Sequence, residues 1–197
     1  MNDGGASNNV LVDLEDLREL LFQVHMRQDE ELRATFDRSL PFADGMFDRW
    51  ERARRLGFGA DASIYDSSIV LGNVMVGDHT WVGPFTVLDG SGGGLSIGRY
   101  CSISAGVHVY THDTVLWALS GGEVDRREGA VSIGERCYIG SQSIVTAGVA
   151  IGEGSVVTSN SFVNQNVAPA TIVGGTPARV IGHVAGSGAD VRLEFPG

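Results

Sequence analysis

The chain has 197 residues, of which 43% are hydrophobic, and its 24 acidic and 14 basic side chains give a net charge of −10. This length accommodates one domain with a hydrophobic core and a short appendage. The acidic surplus argues against nucleic-acid binding, which requires a broad cationic surface. The opening residues, MNDGGASNN, lack the pattern of a secretory signal, and no apolar run approaches membrane-spanning length. We therefore expect a cytoplasmic protein that does not insert into membranes.

Helical spacing dominates the first part of the chain. Apolar side chains recur three or four positions apart at Leu14, Leu17, Leu21 and Val24, and the segment DEELRATF continues this helix or begins a second one. We expect residues 1–60 to form a short N-terminal helical cap. Such a cap would cover the open end of the repeat that follows, where strand edges would otherwise lack partners.

A six-residue repeat occupies most of the remaining sequence. Glycine often follows its apolar residue, and a small or β-branched residue stands four places after that residue. Hexapeptide repeats build a parallel β-helix, in which each hexad supplies one short strand and one corner. We therefore predict a mainly β fold, with the repeat domain at residues 61–183 and a C-terminal tail at 184–197. The apolar positions, which we expect to point inward, are Val70, Val76, Val82, Leu88, Ile97, Ile103, Val109, Ile133, Ile139, Val145, Ile151, Val157 and Val163.

Two interruptions break the register of the repeat. The first, DGSGGGL at 89–95, adds three residues, and the second extends roughly from Thr114 to Ala130. Insertions in repeat proteins project from one face, which is often the binding face. A functional site is therefore expected beside these two segments.

Ordered motifs along the repeat carry a family resemblance. THD at 111–113 is followed by the second interruption, then by the coils VSIGERCYIGSQSIVTAGVAIGEGSVVTSNSFV, and last by GGTPARVIG. In this order, from about Ile64 to Ile181, they resemble the hexapeptide-repeat acyltransferases. The resemblance is strongest to the group that contains the galactoside, maltose and nodulation-factor acetyltransferases and the sugar acyltransferases of polysaccharide synthesis.

This resemblance implies several properties that the spacing of residues alone does not. It implies a left-handed parallel β-helix, a homotrimer with active sites at the subunit interfaces, and acetyl-CoA or another acyl-CoA as co-substrate. The acceptor would be a small molecule, such as a sugar or a nucleotide sugar. No metal is expected, because His108 and His112 share one face of an extended segment without a third ligand at suitable spacing.

His112 is the expected catalytic base. Acyl transfer to a hydroxyl needs a group that removes the acceptor proton, and a neutral imidazole suits this task near neutral pH. The position of His112 before the long interruption matches the catalytic histidine of the family; the alternative is a loop histidine next to Asp113. Asp89 stands where related sugar acetyltransferases carry an acidic residue that binds acceptor hydroxyls, although Asp-Gly is equally a common turn pair.

The resemblance also places residues beside CoA. Where relatives often carry alanine and then threonine-lysine, this chain has Ser159 and then Asn164 and Gln165, which removes a cation expected near a CoA phosphate. A backbone N–H around Gly148 resembles the oxyanion donor of the family. Arg179 matches a residue that would bind the nucleotide phosphate, and its alternative is a solvated surface arginine. The expected CoA-binding residues are Ser141, Gly148, Ser159, Asn164, Gln165 and Arg179.

Three functions follow from these observations. The leading one is an acetyltransferase that moves an acetyl group from acetyl-CoA to a sugar hydroxyl. The second is an N-acyltransferase acting on a nucleotide-linked amino sugar, which would use the same fold and base. The third is a noncatalytic β-helix used for assembly or binding, against which His112 and Arg179 argue together.

Overall fold

The computed structural model describes residues 13–196, and the chain divides into two compact units, Met1–Met46 and Phe47–Gly197. The first unit contains α1 (Leu14–Phe36) and α2 (Phe42–Met46). The Asp13 side chain caps α1 by accepting a hydrogen bond from Glu15 N at 2.9 Å. The two helices contact each other, and the rings of His25 and Phe42 meet edge to face at 5.5 Å. The predicted N-terminal helical segment is therefore present.

The second unit begins with a helix that covers the first coil of the repeat. This helix, α3 (Arg49–Arg55), packs against β1 (Ser63–Ile64), and its Ala53 is buried. The guanidinium of Arg52 donates hydrogen bonds to the carbonyl oxygens of Tyr65 and Ser68. Backbone acceptors at the open end of the coil are thereby satisfied by a side chain.

Short strands make up the rest of the unit, together with α4 (Val115–Leu119) and a 3₁₀ turn at Gly188–Asp190. After β1, the strands are β2 (Ile69–Val76), β3 (Trp81–Val82), β4 (Val87–Ile97), β5 (Ser102–Ile103), β6 (His108–Tyr110), β7 (His112–Asp113), β8 (Arg127–Glu128), β9 (Val131–Ile133), β10 (Tyr138–Ile139), β11 (Ile144–Val145), β12 (Ala150–Ile151), β13 (Val156–Val157), β14 (Phe162–Val163), β15 (Thr171–Gly174), β16 (Arg179–Ala185) and β17 (Arg192–Glu194).

These strands stack in parallel on three faces, as the hexapeptide pattern predicts. Face 1 consists of β1, β3, β5, β10, β13 and β15. Face 2 consists of residues 69–70 and 87–88 with β6, β11 and β14, and face 3 consists of 74–76 and 95–97 with β9, β12 and Val167. In an uninterrupted coil the paired residues are 18 positions apart, as Ser63 and Trp81 are. The chain therefore forms a parallel β-helix with three hexads to a coil.

The core of the β-helix is a set of ladders formed by the apolar hexad residues. All of the predicted inward positions from Val76 to Val163 are buried, whereas Val70, in the first coil, is only half-buried. Ile64, Ile103 and Ile139 lie at equivalent places on face 1 and are fully inaccessible to solvent. Burying a side chain of this size contributes about 1.5–3 kcal/mol, so the stacked ladders are the main source of stability.

Glycine is required at several corners because successive coils touch there. A Cβ added to Gly98 would lie 2.7 Å from the backbone nitrogen of Glu135 in the next coil, and one added to Gly134 would lie 2.6 Å from that of Glu153. Real Cβ atoms do not approach backbone this closely, so glycine at these corners allows successive coils to pack against each other. Two residues after Gly98, Tyr100 takes a positive φ of 56°.

The parallel run ends in an antiparallel extension. β15 pairs antiparallel with β16, and β16 pairs antiparallel with β17, so part of the predicted C-terminal tail forms an additional strand at the edge of face 1. The turn residues 175–178 reverse the chain between β15 and β16. Among residues 13–196, no helix has the length and apolarity needed to span a membrane.

We expect Gly98→Ala to lower the free energy of unfolding by about 1–3 kcal/mol, because the added methyl group must displace the backbone at Glu135. Chemical denaturation at fixed protein concentration, followed by circular dichroism, measures this change. Gly45→Ala in α2 is the matched control, since its Cβ would meet only Leu32 Cδ1 at an ordinary 3.6 Å. A Gly98→Ala protein with unchanged stability would show that the corner has room for a side chain.

Candidate active site

The two interruptions leave the β-helix at the same corner, between faces 2 and 3. The first lies within β4. Because of it, the paired residues Trp81 and Ser102 on face 1 are 21 positions apart instead of 18. The second separates Ser102 from its partner Tyr138 and forms an antiparallel pair, β7 with β8, with α4 between them. We call residues 111–130 the excursion and this edge of the molecule the His112 corner.

Backbone hydrogen bonds join the two interruptions to each other. The amide of Gly129 donates to Gly92 O at 3.0 Å and to Thr111 O at 2.9 Å, and the amide of Gly92 donates to Thr111 Oγ1 at 2.8 Å. A Cβ on Gly92 would lie 2.7 Å from the Cβ of His112. The first interruption therefore supports the backbone that carries His112, and the glycine at this position allows the contact.

His112 is held by a buried carboxylate. Its Nδ1 lies 3.0 Å from Asp89 Oδ2, and the side chain of Asp89 is 2% exposed whereas that of His112 is 24% exposed. The other oxygen, Asp89 Oδ1, accepts a hydrogen bond from Ser91 N at 2.9 Å, and Ser91 Oγ lies 3.3 Å from His112 Nδ1. A carboxylate beside Nδ1 favours the tautomer that carries its proton there, which leaves Nε2 as the basic nitrogen.

Asp89 thus has a different environment from the one expected of an acceptor-binding residue. Its carboxylate is buried, and both of its oxygens are engaged within the chain. The register explains this, because Asp89 pairs with Tyr110 in the next coil and His112 follows two residues later. Residues with the same side-chain orientation on stacked coils lie side by side.

Both arginines of the excursion are paired with its carboxylates. Arg127 Nη2 lies 2.8 Å from Asp113 Oδ2, and Arg126 Nε donates to Glu128 Oε1 at 2.7 Å. Arg126 Nη2 also donates to Ser91 O at 3.2 Å, which ties the excursion to the first interruption. Each arginine is thus bound to a carboxylate of the same segment.

Four of the expected CoA-binding residues lie along the His112 corner. The amide of Gly148 donates to Gly129 O at 3.1 Å, which stacks Gly148 directly on the end of the excursion. Asn164, Gln165 and Arg179 line one cavity of about 110 Å³ further along the same corner. The structure therefore places these three exposed residues beside one another.

Gly148 lies in open surroundings. Its φ is +82°, and a Cβ there would meet no atom within 4 Å. Its own N–H is already used by Gly129 O, so it does not point to a ligand. The neighbouring amide of Ala147 has no hydrogen-bond acceptor among the described residues.

Ser141 and Ser159 lie at a different corner, between faces 1 and 2. There the amide of Asn160 donates to Ser141 O at 2.9 Å, and Ser159 precedes Asn160 on the same turn. We call this edge the Ser141 corner. Within one chain, these two serines are therefore separated from His112 by the width of face 2.

A groove along face 3 adjoins the His112 corner and was not anticipated from the sequence. Its main cavity, of about 730 Å³, is lined by outward residues that include Ser96, Ser132 and Ala150. A second cavity of about 250 Å³ shares Ser96 and Ser132 and reaches Gly93 and Ala130 beside the excursion. The available sequence signal was the small residue that precedes Ile97, Ile133 and Ile151 on this face.

His108 lies on β6 and contacts Tyr110 of the same strand. Its Nδ1 lies 3.2 Å from the hydroxyl of Tyr110, and the two rings meet edge to face. Within residues 13–196, no group of three or more His, Cys, Asp or Glu side chains is placed to hold a metal ion.

Known proteins resemble this chain in sequence and in structure. Residues 130–165 match the family described as the hexapeptide repeat of succinyl-transferase. A hexapeptide-repeat containing acetyltransferase from Vibrio cholerae, solved with acetyl coenzyme A, is 30% identical, with a TM-score of 0.61 and coverage of 86% of this chain and 88% of that one. A mutant of AntD, an N-acyltransferase from Bacillus cereus solved with dTDP and coenzyme A, is 28% identical, with a TM-score of 0.59 and coverage of 64% and 72%.

A curated relative matches over a shorter region. The chloramphenicol acetyltransferase of Morganella morganii is 33% identical over 108 residues, which cover 44% of this chain and 50% of that protein. The chain thus spans about half the length of this relative.

Proposed function

The chain belongs to the hexapeptide-repeat acyltransferase family, and from this membership we propose that it transfers an acetyl group from acetyl-CoA to a hydroxyl of a sugar or related small acceptor. The observation that carries the proposal is the contact between His112 Nδ1 and the buried Asp89. A histidine that only packs in a loop does not need a desolvated carboxylate at one ring nitrogen. A general base does, because the carboxylate fixes the tautomer and stabilises the imidazolium that forms.

In the proposed reaction, His112 Nε2 removes the proton from the acceptor hydroxyl as its oxygen attacks the thioester carbonyl. The tetrahedral intermediate collapses with cleavage of the carbon–sulfur bond, and His112 returns its proton to the departing thiolate. Asp89 keeps its charge throughout and acts by orienting the ring. We therefore assign Asp89 as a positioning residue, in place of the role in acceptor binding that its sequence context suggested.

The oxyanion of the intermediate needs a hydrogen-bond donor that is fixed in advance. The amide of Ala147 supports this role, because it adjoins the open space at Gly148 and has no acceptor among the described residues. A donor that is already oriented stabilises the developing charge without further reorganisation.

We propose that a complete CoA site requires two copies of the chain in a homotrimer. The His112 corner of one copy supplies Gly148, Asn164, Gln165 and Arg179, and the Ser141 corner of the neighbouring copy supplies Ser141 and Ser159. The separation of these two corners within one chain supports this arrangement. The groove between the copies would hold the pantetheine arm, and Arg179 would bind a nucleotide phosphate.

An N-acyltransferase acting on a nucleotide-linked amino sugar is the second candidate. The similarity to AntD, solved with dTDP and coenzyme A, favours it. A screen of the purified protein with acetyl-CoA and longer acyl-CoAs, against sugars, amino sugars and nucleotide sugars, would distinguish the two by thiol release and product analysis. Absence of release with every acceptor would support the noncatalytic alternative.

We expect His112→Ala to lower kcat by about 10²–10⁴-fold, which is the range that general-base catalysis contributes. The KM for acetyl-CoA should change little, since the imidazole acts on the acceptor proton. Steady-state thiol release measures both constants. His183→Ala, at an exposed position on β16, is the matched control and should behave as the unsubstituted protein; unchanged turnover in His112→Ala would refute the mechanism.

Asp89→Asn distinguishes a positioning role from acceptor binding. If Asp89 orients His112, kcat should fall by about 10²-fold or more, because the amide no longer fixes the tautomer, while the acceptor KM stays within about twofold. If it binds the acceptor, the acceptor KM should rise instead. Initial-rate measurements at varied acceptor concentration separate these outcomes.

Arg179→Ala should raise the KM for acetyl-CoA by about tenfold, the value of one charge-assisted hydrogen bond to phosphate, and leave kcat unchanged. The control is Arg192→Ala on β17, whose guanidinium pairs with Glu194 at 2.9 Å. Acetyl-dephospho-CoA, which lacks the ribose phosphate, provides a second measurement. If Arg179 binds that phosphate, Arg179→Ala should reduce the preference of the enzyme for acetyl-CoA over acetyl-dephospho-CoA. Equal KM values for both variants would assign Arg179 to the solvated surface.

A further inference from the structure

The surroundings of His112 carry an excess of negative charge. The excursion contains the acids Asp113, Glu123, Asp125 and Glu128 and the bases Arg126 and Arg127, and the buried Asp89 lies directly beneath it. Both arginines are bound to carboxylates of the excursion, Arg126 to Glu128 and Arg127 to Asp113. The positive charges are therefore neutralised in place, and the remaining acids set the sign of the local potential.

The smaller of the two cavities along face 3, which lies beside the excursion, has no charged lining residue in the part of the chain that the structure describes. It has a volume of about 250 Å³ and is bordered by Asn73, Met75, Gly93, Gly94, Ala130 and Ser132, among others. Gly93 and Ala130 directly follow Gly92 and Gly129, whose backbones join the two interruptions next to His112. A ligand portion that enters this space meets amide, hydroxyl and apolar groups.

From these two observations we infer that the acceptor is uncharged where it meets the excursion, and that it is a neutral polyhydroxyl compound without phosphate. This inference rests on the proposed acyltransferase function and narrows its substrate class. A phosphate beside the excursion would face a net negative field, with both guanidinium groups of residues 111–130 already paired, and such like-charge contacts disfavour binding. A sugar would instead donate hydroxyl hydrogens to the neutral polar groups.

The inference separates the two leading functions. An acceptor linked to a nucleotide carries one or two phosphates next to the sugar, and when that sugar is at His112 we expect these phosphates near the acids of the excursion. The exposed Arg179 would not neutralise these phosphates, because it lines the cavity near Asn164 and Gln165 rather than the cavity beside the excursion. The acidic surroundings of His112 therefore favour a free sugar or glycoside over a nucleotide sugar.

Paired acceptors test this directly. The pairs are galactose with UDP-galactose and glucosamine with glucosamine 6-phosphate, each assayed with acetyl-CoA by thiol release at low ionic strength. We expect the kcat/KM of the member without phosphate to exceed that of the phosphorylated member by at least about tenfold. Raising the salt concentration should narrow the ratio, because screening weakens repulsion between exposed charges.

Substitution of an acid in the excursion provides the matched variant. Asp125→Asn removes one exposed negative charge and should narrow the ratio about two- to fivefold, whereas Asp190→Asn, in the 3₁₀ turn near the C-terminus, should leave it unchanged. Equal use of both members, or preference for the phosphorylated one, would overturn the inference while leaving the acyltransferase proposal intact. No thiol release with any member of any pair would overturn both.

Discussion

Contact between successive coils is the constraint on which the rest of the structure depends. Each coil is too small to bury its own apolar residues, and it does so only by stacking Ile103 on Val82 and Ile139 on Ile103. The same contact requires glycine where corners meet, as at Gly98 and Glu135. Inserted segments can project from the β-helix only where they do not disturb this stacking, which is at a corner.

The candidate site arises because two insertions leave at one corner on neighbouring coils. The first supplies Asp89 and the glycines that follow it, and the second supplies His112 and the charged hairpin. Neither insertion forms the site alone, because the carboxylate comes from one and the imidazole from the other. The strands on either side are rigid, and they hold the two groups within hydrogen-bond distance.

Much of this organisation could be predicted from the sequence. The hexad rule identified the inward positions, and only Val70, which belongs to the first coil, is less buried than expected. Both interruptions were recognised, and His112 was placed beside the second. The pairing of Asp89 with His112 was missed, because it depends on the register between β4 and β6, which the linear order of the hexads does not give.

Other features could not have been predicted because they are properties of three-dimensional arrangement. The division of the expected CoA residues between two corners depends on which side of each strand the chain turns, and the groove on face 3 depends on small side chains in separate coils. The pairing of Arg126 with Glu128 and of Arg127 with Asp113 likewise depends on how the excursion folds back on itself.

The length of the excursion also has a consequence for how this fold can change. Paired residues on face 1 are 18 positions apart in an ordinary coil, and the excursion doubles this separation between Ser102 and Tyr138. Closing a chain loop of twice the length costs only about 0.6 kcal/mol in entropy. A β-helix can therefore gain, lose or lengthen a whole specificity-bearing segment at one corner with almost no effect on its stability, so its choice of acceptor can diverge while the stacked coils stay the same.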